Sequence, residues 1–165
     1  MTRPVVLFSA GLDSAVLLAE AAAQPGGAQP VYISAGLAWE AAERAMAERF
    51  VSALGPGATL GPLVSLAVDM RDVYPAAHWA VRGEAPAYDT PDSDVYIEGR
   101  NVVLLSMAAV FAAYAKLSRI LIGMQDHYTG IDHKSLSVTA DFAIDGVKPG
   151  ENLASRLKPN SHGVW

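Results

Sequence analysis

The sequence contains no cysteine, little charge and no long hydrophobic run, and each absence excludes a class of protein. None of the 165 residues is a cysteine, which excludes disulfides, thiolate zinc sites, iron–sulfur clusters and a cysteine nucleophile. The 12 basic and 17 acidic residues give a net charge of −5, which argues against stable nucleic-acid binding because neutralising phosphates takes many cations. The longest apolar stretch, residues 102–115, is interrupted by Ser106 and is too short to span a bilayer. With no signal-peptide pattern at the N-terminus, these features predict a cytoplasmic protein without a membrane partner.

Alternating strand and helix patterns run along most of the chain. The composition, 52% hydrophobic, is typical of a globular protein, and we expect one domain over residues 1–165. Short apolar, β-branched runs predict strands, and longer Ala- and Leu-rich stretches predict helices. The predicted strands are residues 5–8, 31–33, 63–68, 119–123 and 136–142, and the predicted helices are residues 15–23, 40–54 and 101–116. This order predicts an α/β fold, a three-layer α/β/α sandwich around a mostly parallel sheet of about five strands.

Two segments depart from that alternation. Residues 70–98 carry several prolines and acids, and we expect a long excursion with little regular structure. The aromatic side chains in it are expected to pack rather than to form a base-stacking platform, although a heterocyclic substrate could use one of them; they are Tyr74, Trp79, Tyr88 and Tyr96. Residues 145–165 are expected to form a tail or docking segment. In the helix over residues 40–54, Glu40, Arg44 and Glu48 follow at intervals of four and predict a charged face opposite Met46 and Phe50.

Three chemically suggestive segments lie at the carboxyl ends of the predicted parallel strands, residues 9–14, 34–39 and 123–134. The first lies between a strand and a helix and contains Ser9, Gly11, Asp13 and Ser14. Backbone N–H groups at a helix start attract anions, the glycine permits close approach, and the serines can donate to phosphate oxygens. Asp13 fits a shared magnesium ion. The alternative is that Ser9 or Asp13 only caps the helix.

The segment at residues 9–14 resembles a loop of a known protein family. The run Phe8-Ser9-Ala10-Gly11-Leu12-Asp13-Ser14 resembles the pyrophosphate loop of the adenine-nucleotide alpha-hydrolase-like (PP-loop, HUP-type) ATPases. That family's pattern is Ser-Gly-Gly-x-Asp-Ser followed by Ser or Thr. The resemblance implies that ATP is cleaved between its α- and β-phosphates. Ala10 and Ala15 stand where the pattern has a glycine and a hydroxyl.

A second motif narrows the resemblance to one branch. Glu98-Gly99-Arg100-Asn101 opens the third helix and is similar to the Pro-Gly-Arg-Asn segment of the 7-cyano-7-deazaguanine synthases, the QueC/ExsB family. Residues 120–123 resemble the strand and glycine that follow in that family, and residues 128–132 resemble its Tyr-Ser-Gly-Tyr-Pro-Asp motif. The family's C-terminal four-cysteine zinc site has no counterpart in this cysteine-free sequence.

The resemblance implies an ATP-dependent C–N ligase-like enzyme of queuosine biosynthesis. ATP and Mg²⁺ would be the cofactors, a deazapurine carboxylate or related acid the substrate, and ammonia or another amine the donor. The implied catalytic residues are Asp13, also the magnesium ligand, and Arg100. The implied ATP- and pyrophosphate-binding residues are Leu7, Phe8, Ser9, Ala10, Gly11, Leu12, Asp13, Ser14, Arg100, Asn101 and Gly123. The implied substrate-binding residues are Asp126, Tyr128 and Asp132.

Several alternatives stay open. Asn101 and Arg100 could be a helix cap and a surface residue, although a guanidinium at a helix start can also grip a phosphate or carboxylate. The polar residues Asp126, His127, Asp132 and His133 could hold a metal ion instead of substrate. The whole chain could be a nucleotide-binding protein without synthase activity, or a paralogue that amidates a different acid. An Ala-rich helix and an exposed C-terminal segment would both suit a homodimer.

Overall fold

The computed structural model describes residues 3–55, 57–124 and 136–141 of the chain. The strands are β1 (Val5–Leu7), β2 (Gln29–Ser34), β3 (Val64–Ala67), β4 (Arg119–Met124) and β5 (Leu136–Asp141). The helices are α1 (Leu12–Ala22), α2 (Glu40–Ala53), α3 (Trp79–Arg82), α4 (Asp92–Val95) and α5 (Arg100–Tyr114), with a 3₁₀ turn at Met70–Asp72. Within these residues, no helix is long and apolar enough to cross a membrane.

The strands form one sheet in the order β3-β2-β1-β4-β5. The first four are parallel to their neighbours, while β5 pairs antiparallel with β4. Successive side chains of the central strand point to opposite faces, since a strand has a period of two. Val5 and Leu7 pack with Ala108 and Ala112 of α5, whereas Val6 packs on the face that carries α1 and α2. Helices therefore cover both faces, and the predicted three-layer α/β fold is confirmed.

The order of the strands creates a crevice beside β1. The connections through α1 and α2 run outward to β2 and β3, and the chain then returns through α5 to β4 on the other side of β1. Right-handed crossovers put α1 and α2 on one face and α5 on the other because the direction of travel reverses. The carboxyl ends of β1 and β4 diverge at this switch point, which is where open α/β sheets bind ligands.

The segment over residues 70–98 folds onto the carboxyl end of β2. Its regular structure is the 3₁₀ turn and the single-turn helices α3 and α4. Met70, Tyr74 and Ala80 are buried against Ala35 and Leu37, which follow β2. Tyr74 and Trp79 pack as expected, but the same expectation is wrong for Tyr88 and Tyr96, which are exposed.

Candidate functional site

We call the loop after β1, residues 9–14, the cradle because it leads directly into the start of a helix. Helix α1 begins at Leu12 and not at Ala15, so Leu12, Asp13 and Ser14 form its first turn. Its N-cap is Gly11, and a glycine has no side chain with which to satisfy the first N–H groups. The alternative in which Ser9 or Asp13 is the N-cap is therefore wrong, and no side chain caps the backbone donors of the first turn.

Ala10 gives this loop its sharp turn. Its φ is +63°, in the left-handed region that glycine enters freely and alanine enters at a cost of about 1–2 kcal/mol. The Ser14 hydroxyl donates to the Gly11 carbonyl at 2.9 Å and lies 3.4 Å from the Ser9 hydroxyl. Both hydroxyls therefore sit on the inner side of the turn.

Gly123 lies directly against this loop from the neighbouring strand. A Cβ built on Gly123 would be 3.4 Å from Asp13 Cβ and 3.5 Å from the Ser14 backbone nitrogen. The carboxyl end of β4 thus meets the first turn of α1 with no side chain between them. The structure brings together Ser9, Gly11, Asp13, Ser14 and Gly123, which the sequence assigned to one site.

The remaining residues assigned to the nucleotide occupy the loop or its base. Leu7 is the last residue of β1, and Phe8 is buried against Phe50 of α2 at a centroid distance of 5.4 Å. Leu12 is 81% exposed, and the Asp13 side chain is exposed beside it. Among the described residues, no three acidic or histidine side chains cluster closely enough to hold a metal ion. Asp126, His127, Tyr128, Asp132 and His133 lie outside the described residues.

Arg100 and Asn101 occupy the first turn of α5. The N-cap of α5 is Gly99, with φ +73°, so the alternative in which Asn101 is the cap is wrong, and the Asn101 side chain is exposed. Within the described residues, no hydrogen bond or ion pair joins Arg100 to residues 9–14. Instead, Arg100 acts electrostatically on Glu43 of α2 and on Tyr74.

A second polar group lies at the carboxyl end of β2. Glu40 is only 8% exposed and accepts hydrogen bonds from the Ser34 hydroxyl at 2.5 Å, the Ala35 N–H at 2.6 Å and the Gly36 N–H at 3.2 Å. The spacing to Arg44 and Glu48 predicted a shared helix face for Glu40 but not these bonds to the strand end. The Glu40 carboxylate ties the first residue of α2 to the end of β2.

Glu43, one turn further along α2, lies among aromatic groups. The Tyr32 hydroxyl donates to its carboxylate at 3.4 Å, and the nearby Trp39 side chain lowers the pKa of that carboxyl. Burial raises the pKa of the Glu43 carboxyl above its ordinary value, while the positive charge of Arg100 opposes that rise. Burial, together with Glu43 and Glu40, also raises the pKa of the Tyr32 phenol.

A ladder of stacked rings completes this region. Tyr74 stacks on His78 at 4.9 Å, His78 on Trp79 at 5.8 Å, and Trp79 on Trp39 at 5.4 Å between ring centroids. The Tyr74 hydroxyl donates to the Glu98 carbonyl at 2.5 Å, which ties the ladder to the residues that precede α5. Sequence reasoning missed Glu43 and His78, and it singled out Trp39 only as part of the segment at residues 34–39.

Comparison with known proteins gives two concordant matches. Residues 3–131 match the family of queuosine biosynthesis protein QueC. A curated 7-cyano-7-deazaguanine synthase from Methanothrix thermoacetophila is 32% identical to this chain over 126 residues. The alignment covers 74% of this chain and 55% of that protein, so the chain spans about half the length of this relative.

Proposed function

Because this chain belongs to the QueC family of queuosine biosynthesis proteins, we propose that it activates a carboxylate with ATP and releases pyrophosphate. The proposed reaction resembles the conversion of 7-carboxy-7-deazaguanine and ammonia to 7-cyano-7-deazaguanine, the product in the name of the curated relative. The acid oxygen attacks the α-phosphorus of ATP, which forms an acyl-adenylate and expels pyrophosphate. Ammonia then displaces AMP to give the amide. A second ATP adenylates the amide oxygen and releases pyrophosphate, and that oxygen leaves with AMP as two protons are lost and the nitrile forms.

The observation that carries this proposal is the geometry of the loop at residues 9–14. The N–H groups at the start of α1, which no side chain caps, the hydroxyls of Ser9 and Ser14, and the bare backbone of Gly123 lie together beside the crevice between β1 and β4. The uncapped N–H groups would bind the pyrophosphate as its charge develops, and the Ser14 hydroxyl would exchange its bond to the Gly11 carbonyl for one to a phosphate oxygen. Electrostatic stabilisation of the leaving group is the main catalytic contribution that this loop can make.

Asp13 suits the magnesium ion that ATP carries. Mg²⁺ is usually held by one or two carboxylates together with substrate phosphates, and Asp13 is an exposed carboxylate in the first turn of the cradle. The ion would neutralise charge on the phosphates when bound. Asp13 would contribute one oxygen ligand to the ion, and the backbone N–H groups of the loop would bind the phosphate oxygens.

The acid would bind on the side of Arg100. Within the described residues Arg100 makes no hydrogen bond or ion pair with residues 9–14, so we assign it to the acid or its activated carboxyl, which a guanidinium can bind through two hydrogen bonds. Asn101 is exposed on the next position of α5 and is assigned to the same side. Asp126, Tyr128 and Asp132 remain assigned to substrate by their motif alone.

Pyrophosphate release measures the proposed reaction directly. The protein is incubated with ATP, Mg²⁺ and 7-carboxy-7-deazaguanine, with and without ammonia, and both pyrophosphate and AMP are quantified. Asp13→Asn is expected to lower the rate at least about tenfold, equivalent to about 1.4 kcal/mol of transition-state stabilisation. Glu20→Gln is the matched control, because it removes the same charge from an exposed position further along α1.

Two outcomes of this assay would contradict different parts of the proposal. Wild-type protein that binds ATP but forms no AMP with any acid tested contradicts the enzymatic proposal. Unchanged ATP affinity and turnover in Asp13→Asn would instead contradict the assignment of the loop.

A second candidate is a nucleotide-binding protein without synthase activity. Two alanines favour it. Ala10 places a Cβ at the turn of the cradle, and Ala15 packs against the core formed with Phe8 and Leu18, where the similar family has a hydroxyl. A paralogue acting on another acid would give AMP with that acid but not with the deazaguanine, so the same assay distinguishes all three.

A further inference from the structure

Helix α5 has an exposed apolar face on the side away from the sheet. Residues 101–115 include no charged side chain, and Val102, Ser106, Val110 and Tyr114 follow at intervals of four, which places them on one side of the helix. The valines are 68% and 71% exposed and the tyrosine 89%, while the Ser106 hydroxyl donates to the Val102 carbonyl at 2.8 Å. We call these four residues the outer face of α5. A helix that is apolar all round is ordinarily covered on every side, so this face indicates a docking surface.

The last described strand ends close to this face. Because β5 is antiparallel to β4, its final residue Asp141 pairs with Arg119, the first residue of β4. Arg119 follows Tyr114 by five residues, which span at most about 18 Å. The chain therefore leaves β5 at the end of the sheet where α5 also ends. Residues 142–165, which lie outside the described residues, begin at this point.

This C-terminal segment, residues 142–165, is long enough to cover the outer face. The 15 residues of α5 extend for about 22 Å at 1.5 Å per residue. The 24 residues of the segment can reach roughly 80 Å when extended, so even a compact conformation could run the length of the helix. Its large apolar side chains could cover the valines and the tyrosine; they include Phe142, Ile144, Leu153, Leu157 and Trp165.

Tethering and charge favour this segment over a second copy of the chain. The segment holds three basic and two acidic residues, so its net charge is +1, whereas residues 1–141 hold 9 basic and 15 acidic residues and are net −6. The segment is thus attracted to the rest of its own chain, while two whole chains, each of charge −5, repel one another. A segment attached beside its binding surface also acts at an effective concentration in the millimolar range, above that of a second copy in dilute solution.

We propose that the C-terminal segment docks on the outer face of α5 within the same chain. The segment then covers Val102, Val110 and Tyr114 and completes the layer of structure on that side of the sheet. This assignment is independent of the proposed reaction, because none of these three residues is assigned to ATP or to the acid.

Limited trypsin digestion of the full chain tests the docking. Within the segment trypsin can cleave after Arg156, since a proline follows both lysines. Val110→Asp places a charge under the docked segment, where burial is unfavourable. Cleavage after Arg156 is expected to accelerate at least about tenfold in this variant, because proteolysis follows the population of the open form. Cleavage after Arg49, in α2, is expected to be unchanged, which distinguishes release of the segment from general unfolding.

Val73→Asp is the matched control, since Val73 is 74% exposed and lies outside α5. It introduces the same charge at a valine of nearly the same exposure, and cleavage after Arg156 is expected to proceed as in the wild type. Equal rates of this cleavage in the wild type and in Val110→Asp would overturn the proposal.

Cross-linking identifies the occupant without relying on a destabilising variant. Because the chain has no cysteine, Val110→Cys supplies a single thiol for a benzophenone maleimide, and Val73→Cys supplies the control position. Illumination of the full-length Val110→Cys protein is expected to give a monomeric product in which position 110 is joined to a peptide from residues 142–165. A cross-linked dimer, which would identify a second copy as the occupant, or the absence of any cross-link to residues 142–165 would each overturn the proposal.

Discussion

At the scale of single residues, Ala10 is the most informative departure from the loop pattern. An alanine at φ +63° costs about 1–2 kcal/mol relative to a right-handed conformation, whereas glycine is free there. Ala10→Gly is therefore expected to raise the free energy of unfolding by about 0.5–1 kcal/mol, after the greater freedom of glycine in the unfolded chain is subtracted. Urea denaturation at constant m-value measures the change.

Ala19→Gly is the control for this prediction. Ala19 lies in the interior of α1, where glycine is expected to lower the free energy of unfolding by about 1 kcal/mol. Opposite signs for the two variants would establish that the loop holds Ala10 under conformational strain. If Ala10→Gly were as destabilising as Ala19→Gly, the strain would be absent. Removal of the Cβ also opens the cradle, so ATP is expected to bind more tightly to the Ala10→Gly variant.

At the scale of secondary-structure elements, the joint between β2 and α2 depends on the Glu40 carboxylate. Glu40→Gln keeps the size of the side chain but offers only one acceptor oxygen. The best orientation turns the amide toward Ser34, whose hydroxyl can accept, and leaves the Gly36 N–H unpaired. Glu40→Gln is therefore expected to lower the free energy of unfolding by about 1–3 kcal/mol.

Glu48→Gln, an exposed change on the same helix, is the control, and its free energy of unfolding is expected to stay within about 0.5 kcal/mol of the wild-type value. Equal effects of the two would show that the strand-end bonds contribute nothing to stability.

The joint between β2 and α2 illustrates which structural features sequence patterns can predict and which they cannot. They predicted the β1, α2 and β4 positions to within about two residues, because buried β-branched runs and breaker-free stretches are local properties. They predicted the loop against β4 because the connectivity of parallel strands determines which strand ends meet. They placed Glu40 on a helix face with Arg44 but missed its bonds to the end of β2, because a spacing of four does not reveal that N–H groups of Ala35 and Gly36 need an acceptor. They missed the ladder of stacked rings because Trp39 and Trp79 are far apart in sequence and meet only after folding.

At the scale of the whole molecule, the crevice between β1 and β4 links nucleotide binding to stability. Its walls come from the first turn of α1 and the end of β4, elements that are far apart in the chain and separate on unfolding. A ligand that binds only the folded protein adds about 2.7 kcal/mol of stability at a free concentration one hundred times its Kd. For a chain of this size each kcal/mol raises Tm by about 2–4 °C, so saturating ATP with Mg²⁺ is expected to raise Tm by about 5–10 °C.

Removal of the metal ion separates the contributions of the backbone cradle and of Asp13. In EDTA the loop N–H groups still bind the phosphates, but Asp13 repels them without an intervening cation. The ATP-dependent rise in Tm is therefore expected to shrink in EDTA for the wild type. In Asp13→Asn, which lacks both the magnesium ligand and the repulsion, the rise is expected to be nearly the same with and without Mg²⁺. Differential scanning calorimetry with ATP, in Mg²⁺ or EDTA, measures all four conditions. An equal dependence on Mg²⁺ in both proteins would place the ion away from Asp13, and the absence of any shift with ATP would exclude the crevice as a nucleotide site.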